Sequence, residues 1–109
     1  MNYFEKVGTL KCTIEIEEKV NDILISLIIG SVFKQNYKKD YLQVITFEEN
    51  NENIIMHIKQ EKTNRVEEKD TKIEFKKGIF NIPSEKIYFI EDIYPNNQRV
   101  QTLLFSSEY

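Results

Sequence analysis

His57 and Cys12 are the only histidine and the only cysteine in the chain, and between them they bound the covalent chemistry it can offer. A histidine acting as general base needs a proton donor or nucleophile within reach and a second group to orient it. His57 falls within the strand-like run Asn53–Gln60, on the face opposite Ile54, Met56 and Ile58, and no serine or cysteine is marked by spacing as its nucleophile. It reads as a partly exposed strand residue. Cys12 shares the parity of Leu10, Ile14 and Ile16, so it is expected in the core as a small hydrophobe rather than in the accessible, electropositive setting a reactive thiolate needs. One Cys and one His cannot supply a zinc shell without carboxylates. Glu48, Glu49 and Glu52 surround a turn, but their spacing matches no calcium loop and lacks its central glycine, which leaves a solvated turn. Gly8, Gly30 and Gly78 are isolated, so there is no phosphate-cradling loop. Glu91 and Asp92 are adjacent, and on a strand they point to opposite faces and cannot pair. No catalytic residue, metal or cofactor is assigned, and the chain is expected not to be an enzyme.

Two groups suit contact rather than catalysis. Tyr88, Glu91, Asp92 and Tyr94, followed by Pro95, Asn96 and Asn97, form an aromatic and acidic stretch. Tyrosine is enriched at protein interfaces. The second group is Lys62, Arg65, Glu67, Glu68 and Lys69, within the polar run Glu61–Thr71, where Val66 is the only apolar residue. That run is expected to form a solvated tip or mobile loop, unable to bury itself.

The elements that must carry these residues read mainly as strands. Leu10 to Glu17 alternates apolar and polar, which predicts a strand over Thr9–Glu18; Lys19 to Asp22 then reads as a turn. Ile23 to Phe33 is rich in Ile and Val and is read as a central strand, with a buried helix as the alternative. Further strands are predicted at Tyr41–Glu48, Asn53–Gln60, Lys72–Ile82 with a kink at Gly78, Ile87–Tyr94 and Arg99–Ser106. For Ile87–Tyr94 the alternative is a short helix capped by Ser84. The expected fold is an all-β single domain over residues 1–109: an antiparallel meander of about seven strands in a small barrel or sandwich, with room for one short helix.

Composition narrows the function classes. Net charge is −3, too small for a nucleic-acid mimic and of the wrong sign for a general nucleic-acid binder. Met1 to Lys11 has no apolar segment of signal-peptide type, and the single cysteine suits a reducing compartment, so a cytoplasmic location is expected. The longest apolar run covers about 11 residues, against the roughly 20 a membrane helix needs. There is no alanine or tryptophan, and lysine outnumbers arginine 13 to 2, a skew that points to AT-rich codons and a low-GC bacterium or its phage. These readings lead to a non-enzymatic binding protein: an accessory protein of a phage or mobile element that inhibits a host protein such as a defence component. The alternatives are a barrel that sequesters a small, nucleotide-like ligand, and a structural protein that self-assembles into a homo-oligomer through unpaired strand edges.

Overall fold

A computed structural model describes residues 2–109, so Met1 lies outside the described residues, and residues 2–8 form a lead-in to the first strand. The first strand, β1, is Thr9–Cys12 and ends well short of the alternating pattern. Thr13 interrupts it by capping helix α1, Ile14–Lys19, its side-chain oxygen accepting from the Ile16 N–H at 3.3 Å. Glu15 and Glu17 in the first turn suit the positive end of the helix dipole, and Lys19 closes an ion pair with Glu15 at 2.7 Å. The alternation does not reflect two faces of a strand: Ile16 is buried, but Ile14 is 71% exposed.

Ile23 to Phe33 lies in helix α2, Asp22–Lys34, so the predicted central strand is absent. Asn21 is the N-cap, accepting from the Ile23 N–H at 2.8 Å, a role that short polar side chains favour. The Asn21–Asp22 pair therefore starts a helix instead of turning between strands. Leu24, Ile25, Ile28, Ser31 and Val32 are its buried residues, a stripe at helical spacing. Burial along that stripe outweighs the modest helix propensity of Ile and Val.

With this segment helical, six strands remain: β1, β2 (Leu42–Asn50), β3 (Asn53–Gln60), β4 (Lys69–Lys76), β5 (Ile87–Ile93) and β6 (Arg99–Phe105), before a closing 3₁₀ turn at Ser106–Glu108. They form one sheet in the order β1-β6-β5-β2-β3-β4. β1 runs parallel to β6, and the other pairs are antiparallel. The predicted seven-stranded antiparallel barrel or sandwich is thus replaced by a mostly β, mixed, open sheet with β1 and β4 at its edges. The parallel pair follows from the helices, which carry the chain back before it re-enters the sheet. β4 begins before Lys72 and ends before Ile82, because the chain turns at Gly78 (φ 50°) after Lys76. β5 is a strand, and the Ser84-capped helix does not form. The β2–β3 hairpin turns through Asn51 (φ 58°), with Asn50 facing Asn53, a left-handed position that Asn tolerates.

One face of the sheet carries Ile45, Met56, Ile58, Ile87, Phe89, Leu103 and Phe105, which join Ile16, Val20, Leu24, Ile25, Ile28 and Val32 of the helical segment in one buried cluster. Phe4 completes it from the lead-in, its ring 4.9 Å from Phe89 and 5.8 Å from Phe33. The lead-in crosses β6 at Gly8, where a Cβ would lie 2.4 Å from the Arg99 carbonyl oxygen, so this close approach requires glycine. Among the described residues no helix is long and apolar enough to cross a membrane.

Candidate binding surfaces

The register brings the two predicted contact groups to one end of the sheet. β2 runs antiparallel to both β3 and β5, so the end at which β2 begins also carries the β3–β4 loop (residues 61–68) and the β5–β6 turn (residues 94–98). The turn is fixed by its own backbone. The Tyr94 N–H donates to the Gln98 carbonyl and the Asn97 N–H to the Tyr94 carbonyl, both at 2.9 Å. Asn96 Oδ1 accepts from the Gln98 N–H at 3.1 Å, and Asn97 is left-handed at φ 64°. Tyr94, 49% exposed, is presented here with Asn96 and Asn97.

The rest of the aromatic and acidic stretch separates. Tyr88 lies on the helix-free face, in one cross-strand row with Val44 and Leu104, and packs edge-on against Tyr109 at 5.5 Å. Asp92 is exposed on the same face, beside Val100. Glu91 points to the opposite face, as strand geometry requires, and is only 1% exposed. Its carboxylate accepts from the Phe4 N–H at 2.7 Å, from Arg99 Nη1 at 2.9 Å and from Gln101 Nε2. Arg99 also donates to the Asn2 carbonyl, and Gln101 bridges the Lys6 carbonyl and the Gly8 N–H. Glu91 therefore anchors the lead-in and presents nothing to a partner, which corrects its assignment as a contact residue.

The β3–β4 loop is exposed at every residue except Val66, which is 8% exposed. Thr63 folds the loop on itself: its N–H donates to the Val66 carbonyl at 3.0 Å, and its hydroxyl accepts from the N–H groups of Arg65 and Val66 at 3.1 and 3.2 Å. Gln60, 3% exposed, ties the loop down. Its Nε2 donates to the Lys38 carbonyl at 3.1 Å and the Glu67 carbonyl at 2.8 Å, while its Oε1 accepts from the Asp40 N–H and from Gln43 Nε2. Lys62, Arg65 and Glu67 line a pocket of about 500 Å³ with Tyr37, Lys38 and Lys69. The Tyr37 ring has the Lys69 amine 5.5 Å and the Lys39 amine 5.8 Å from its centroid. Burial pushes the Lys39 amine below its ordinary value.

The candidates for covalent chemistry are engaged elsewhere. His57 sits between two carboxylates, Nε2 at 2.8 Å from Glu48 and Nδ1 at 3.1 Å from Asp70. Both ring nitrogens are thus occupied, and the residue staples β2, β3 and β4 together. Glu49 turns the other way to pair with Lys77 at 3.1 Å, so the Glu48, Glu49 and Glu52 group does not converge. Cys12 is half-buried against the core; burial first, then the charges of Glu17 and Asp22, push its thiol up. Among the described residues no three His, Cys, Asp or Glu side chains are grouped to hold a metal ion.

Two features were not anticipated from the sequence. Tyr37 and Lys38 complete the pocket, and only the fold, which sets the stretch between α2 and β2 against the β3–β4 loop, joins them to Lys62, Arg65 and Lys69. The helix-free face is apolar at its centre: Leu42 and Ile90 form one cross-strand pair, Val44, Tyr88 and Leu104 the adjacent row. A hydrogen bond to Tyr109 pushes the Tyr41 phenol up at the border of this patch. The signal was present, since β2 and β5 carry apolar residues at both parities.

No protein-family model matches the chain, and no curated protein matches it by sequence. A crystal structure of a protein of unknown function from Enterococcus faecalis is similar to it with a TM-score of 0.72 and 17% identity, over 100% of this chain and 97% of that one. At that identity the likeness shows a shared fold.

Proposed function

We propose that this chain is a non-enzymatic binding protein, an accessory protein of a phage or mobile element that inhibits a bacterial host protein through the loop end of its sheet. The observation that carries this reading is the convergence of Tyr94, Asn96 and Asn97 with Lys62, Arg65 and Glu67 at one end of the sheet. Both loops are held by their own hydrogen bonds, so little ordering entropy is lost when a partner docks. The engagement of both His57 nitrogens favours binding over acid–base chemistry. The open sheet encloses no barrel lumen for a sequestered ligand, and a four-residue β1 and the Lys69, Lys72 and Lys76 of β4 disfavour assembly by edge pairing.

The test is native mass spectrometry of the protein recovered from an extract of a low-GC bacterial host. The expected result is a stoichiometric protein adduct that is lost in Tyr94→Ala/Asn96→Ala and in Lys62→Ala/Arg65→Ala and retained in Glu18→Ala on α1. An adduct that survives both loop variants would place the contact elsewhere, and a bare homo-oligomer would replace this reading with self-assembly.

A further inference from the structure

We propose that the cleft between the lead-in and the end of α2 is a binding site for a small aromatic carboxylate, with the buried amine of Lys39 as the group that takes its charge. The first support is a cation short of counter-charge. Lys39 is 7% exposed and is the only lysine or arginine buried among the described residues. Its amine donates to the Gln35 carbonyl at 2.5 Å. That carbonyl is its one hydrogen-bond partner among the described residues, and no carboxylate stands at ion-pair distance from it. Gln35 is the C-cap of α2, so the amine meets the negative end of the helix dipole, which is a partial charge only. A buried ammonium calls for a full counter-ion and for acceptors for its other N–H groups. Burial pushes the Lys39 amine down, and the charge of Glu5 only partly restores it. Glu5 also lines the cleft, but it is exposed, accepts from Asn2 at 2.8 Å and lies 3.9 Å from Arg99.

The second support is the cleft that Lys39 lines. Its volume is about 600 Å³, and Tyr3, Phe33 and Tyr37 are on its walls, each partly exposed. That volume is within the range of small-molecule sites. The two walls are separate stretches of chain, and a backbone bridge between Tyr3 and Lys39 ties them together. Phe4 fixes the lead-in wall. Its ring packs 5.8 Å from Phe33, and its N–H donates to the buried Glu91 carboxylate at 2.7 Å. Its backbone is left-handed at φ 55°, a conformation that a bulky residue holds only where its surroundings impose it. The walls are therefore in place before a ligand arrives, which lowers the ordering cost of binding. Aromatic walls offer face and edge contacts to a ring, and the amine offers a charge-assisted hydrogen bond to a carboxylate. Together they specify a flat apolar body carrying one negative charge. A polyanion would find no second buried cation to meet.

The experiment titrates the purified protein with sodium benzoate, followed by backbone amide NMR shifts and by thermal unfolding, against sodium acetate and the neutral benzamide. Benzoate is expected to shift the amides of the lead-in and of the stretch from Phe33 to Lys39, and to raise the melting temperature. Acetate, which lacks the ring, and benzamide, which lacks the charge, should each bind about tenfold more weakly or worse. Lys39→Met keeps the length of the side chain and removes its charge; it should weaken benzoate binding by about tenfold or more. Lys72→Gln on β4 should leave binding unchanged. Glu5→Gln removes a like charge from the cleft and should tighten binding by about two- to threefold; it is the second variant should Lys39→Met disturb the fold. The proposal is overturned if acetate or benzamide binds as tightly as benzoate, if folded Lys39→Met keeps wild-type affinity, if Glu5→Gln weakens binding, or if the shifts fall outside the cleft. None of these outcomes bears on the loop-end reading, since neither Tyr94 nor Arg65 lines this cleft.

Discussion

Glu91 shows how a single residue can invert its expected role. Beside Tyr88 and Tyr94 in sequence it reads as part of an acidic contact surface, yet its parity matches the covered face, and a carboxylate there must be paired or hydrogen-bonded. Three donors supply this: Arg99, Gln101 and the Phe4 N–H. Their positions follow from the β5–β6 hairpin, which sets Glu91 opposite Gln101, and from a lead-in that returns across the sheet. The first of these can be inferred from the sequence once the hairpin is recognised. The second cannot, because no local pattern records a contact between Phe4 and a residue near the far end of the chain. Replacing Glu91 with alanine leaves the Arg99 charge, itself largely covered, and two further donors without their acceptor. The expected loss is about 3–5 kcal/mol, the range for breaking a buried ion pair by removing one partner. Urea unfolding checks this: the midpoint should fall with little change in slope. A loss under about 1 kcal/mol, the scale of an exposed pair, would show that solvent reaches the site.

At the scale of elements, the difference between expectation and fold lies in residues 13–34. Strands β2, β3, β5 and β6 were legible within a residue or two, because hairpin turns and alternation agree there. The segments that became helices carry conflicting signals: Ile14 to Glu17 alternates like a strand, and Ile23 to Phe33 is rich in β-branched residues. The deciding features are two small polar residues, Thr13 and Asn21, that cap α1 and α2 respectively. Asparagine before an apolar run is compatible with both a turn and a cap, and tertiary burial of Leu24, Ile28 and Val32 selects the cap. The cap has a measurable weight. Asn21→Ala leaves the Ile23 N–H without its acceptor at 2.8 Å and is expected to cost about 1 kcal/mol, whereas Asn21→Asp should be nearly neutral or better, since a negative charge suits the helix start. Thermal unfolding of both variants checks the pair, and equal loss in the two would mean that Asn21 acts by something other than capping.

For the whole molecule, one sheet has to serve two faces. The helices and Phe4 cover one. The other keeps an apolar centre at Val44, Tyr88 and Leu104, and the closing 3₁₀ turn brings Tyr109 over its middle. Glu85 holds that turn, accepting from the Ser107 N–H at 2.6 Å and from the Ser106 hydroxyl at 3.3 Å. Hydrogen bonds from Ser107, the leading cause, hold the Glu85 carboxyl below its ordinary value of 4.5. A carboxyl whose value is lowered by folding stabilises the fold fully above its unfolded value, and that contribution is lost as pH falls through the folded value. The wild-type protein should therefore exceed Glu85→Gln in melting temperature at pH 7, and the two should converge on acidification from about pH 4.5 downward. Melting curves of both at pH 7 and pH 3 decide it. A gap of equal size at the two values would assign the effect of the substitution to lost packing, and the turn would then be held over the sheet by Tyr88 and Tyr109 rather than by the carboxylate.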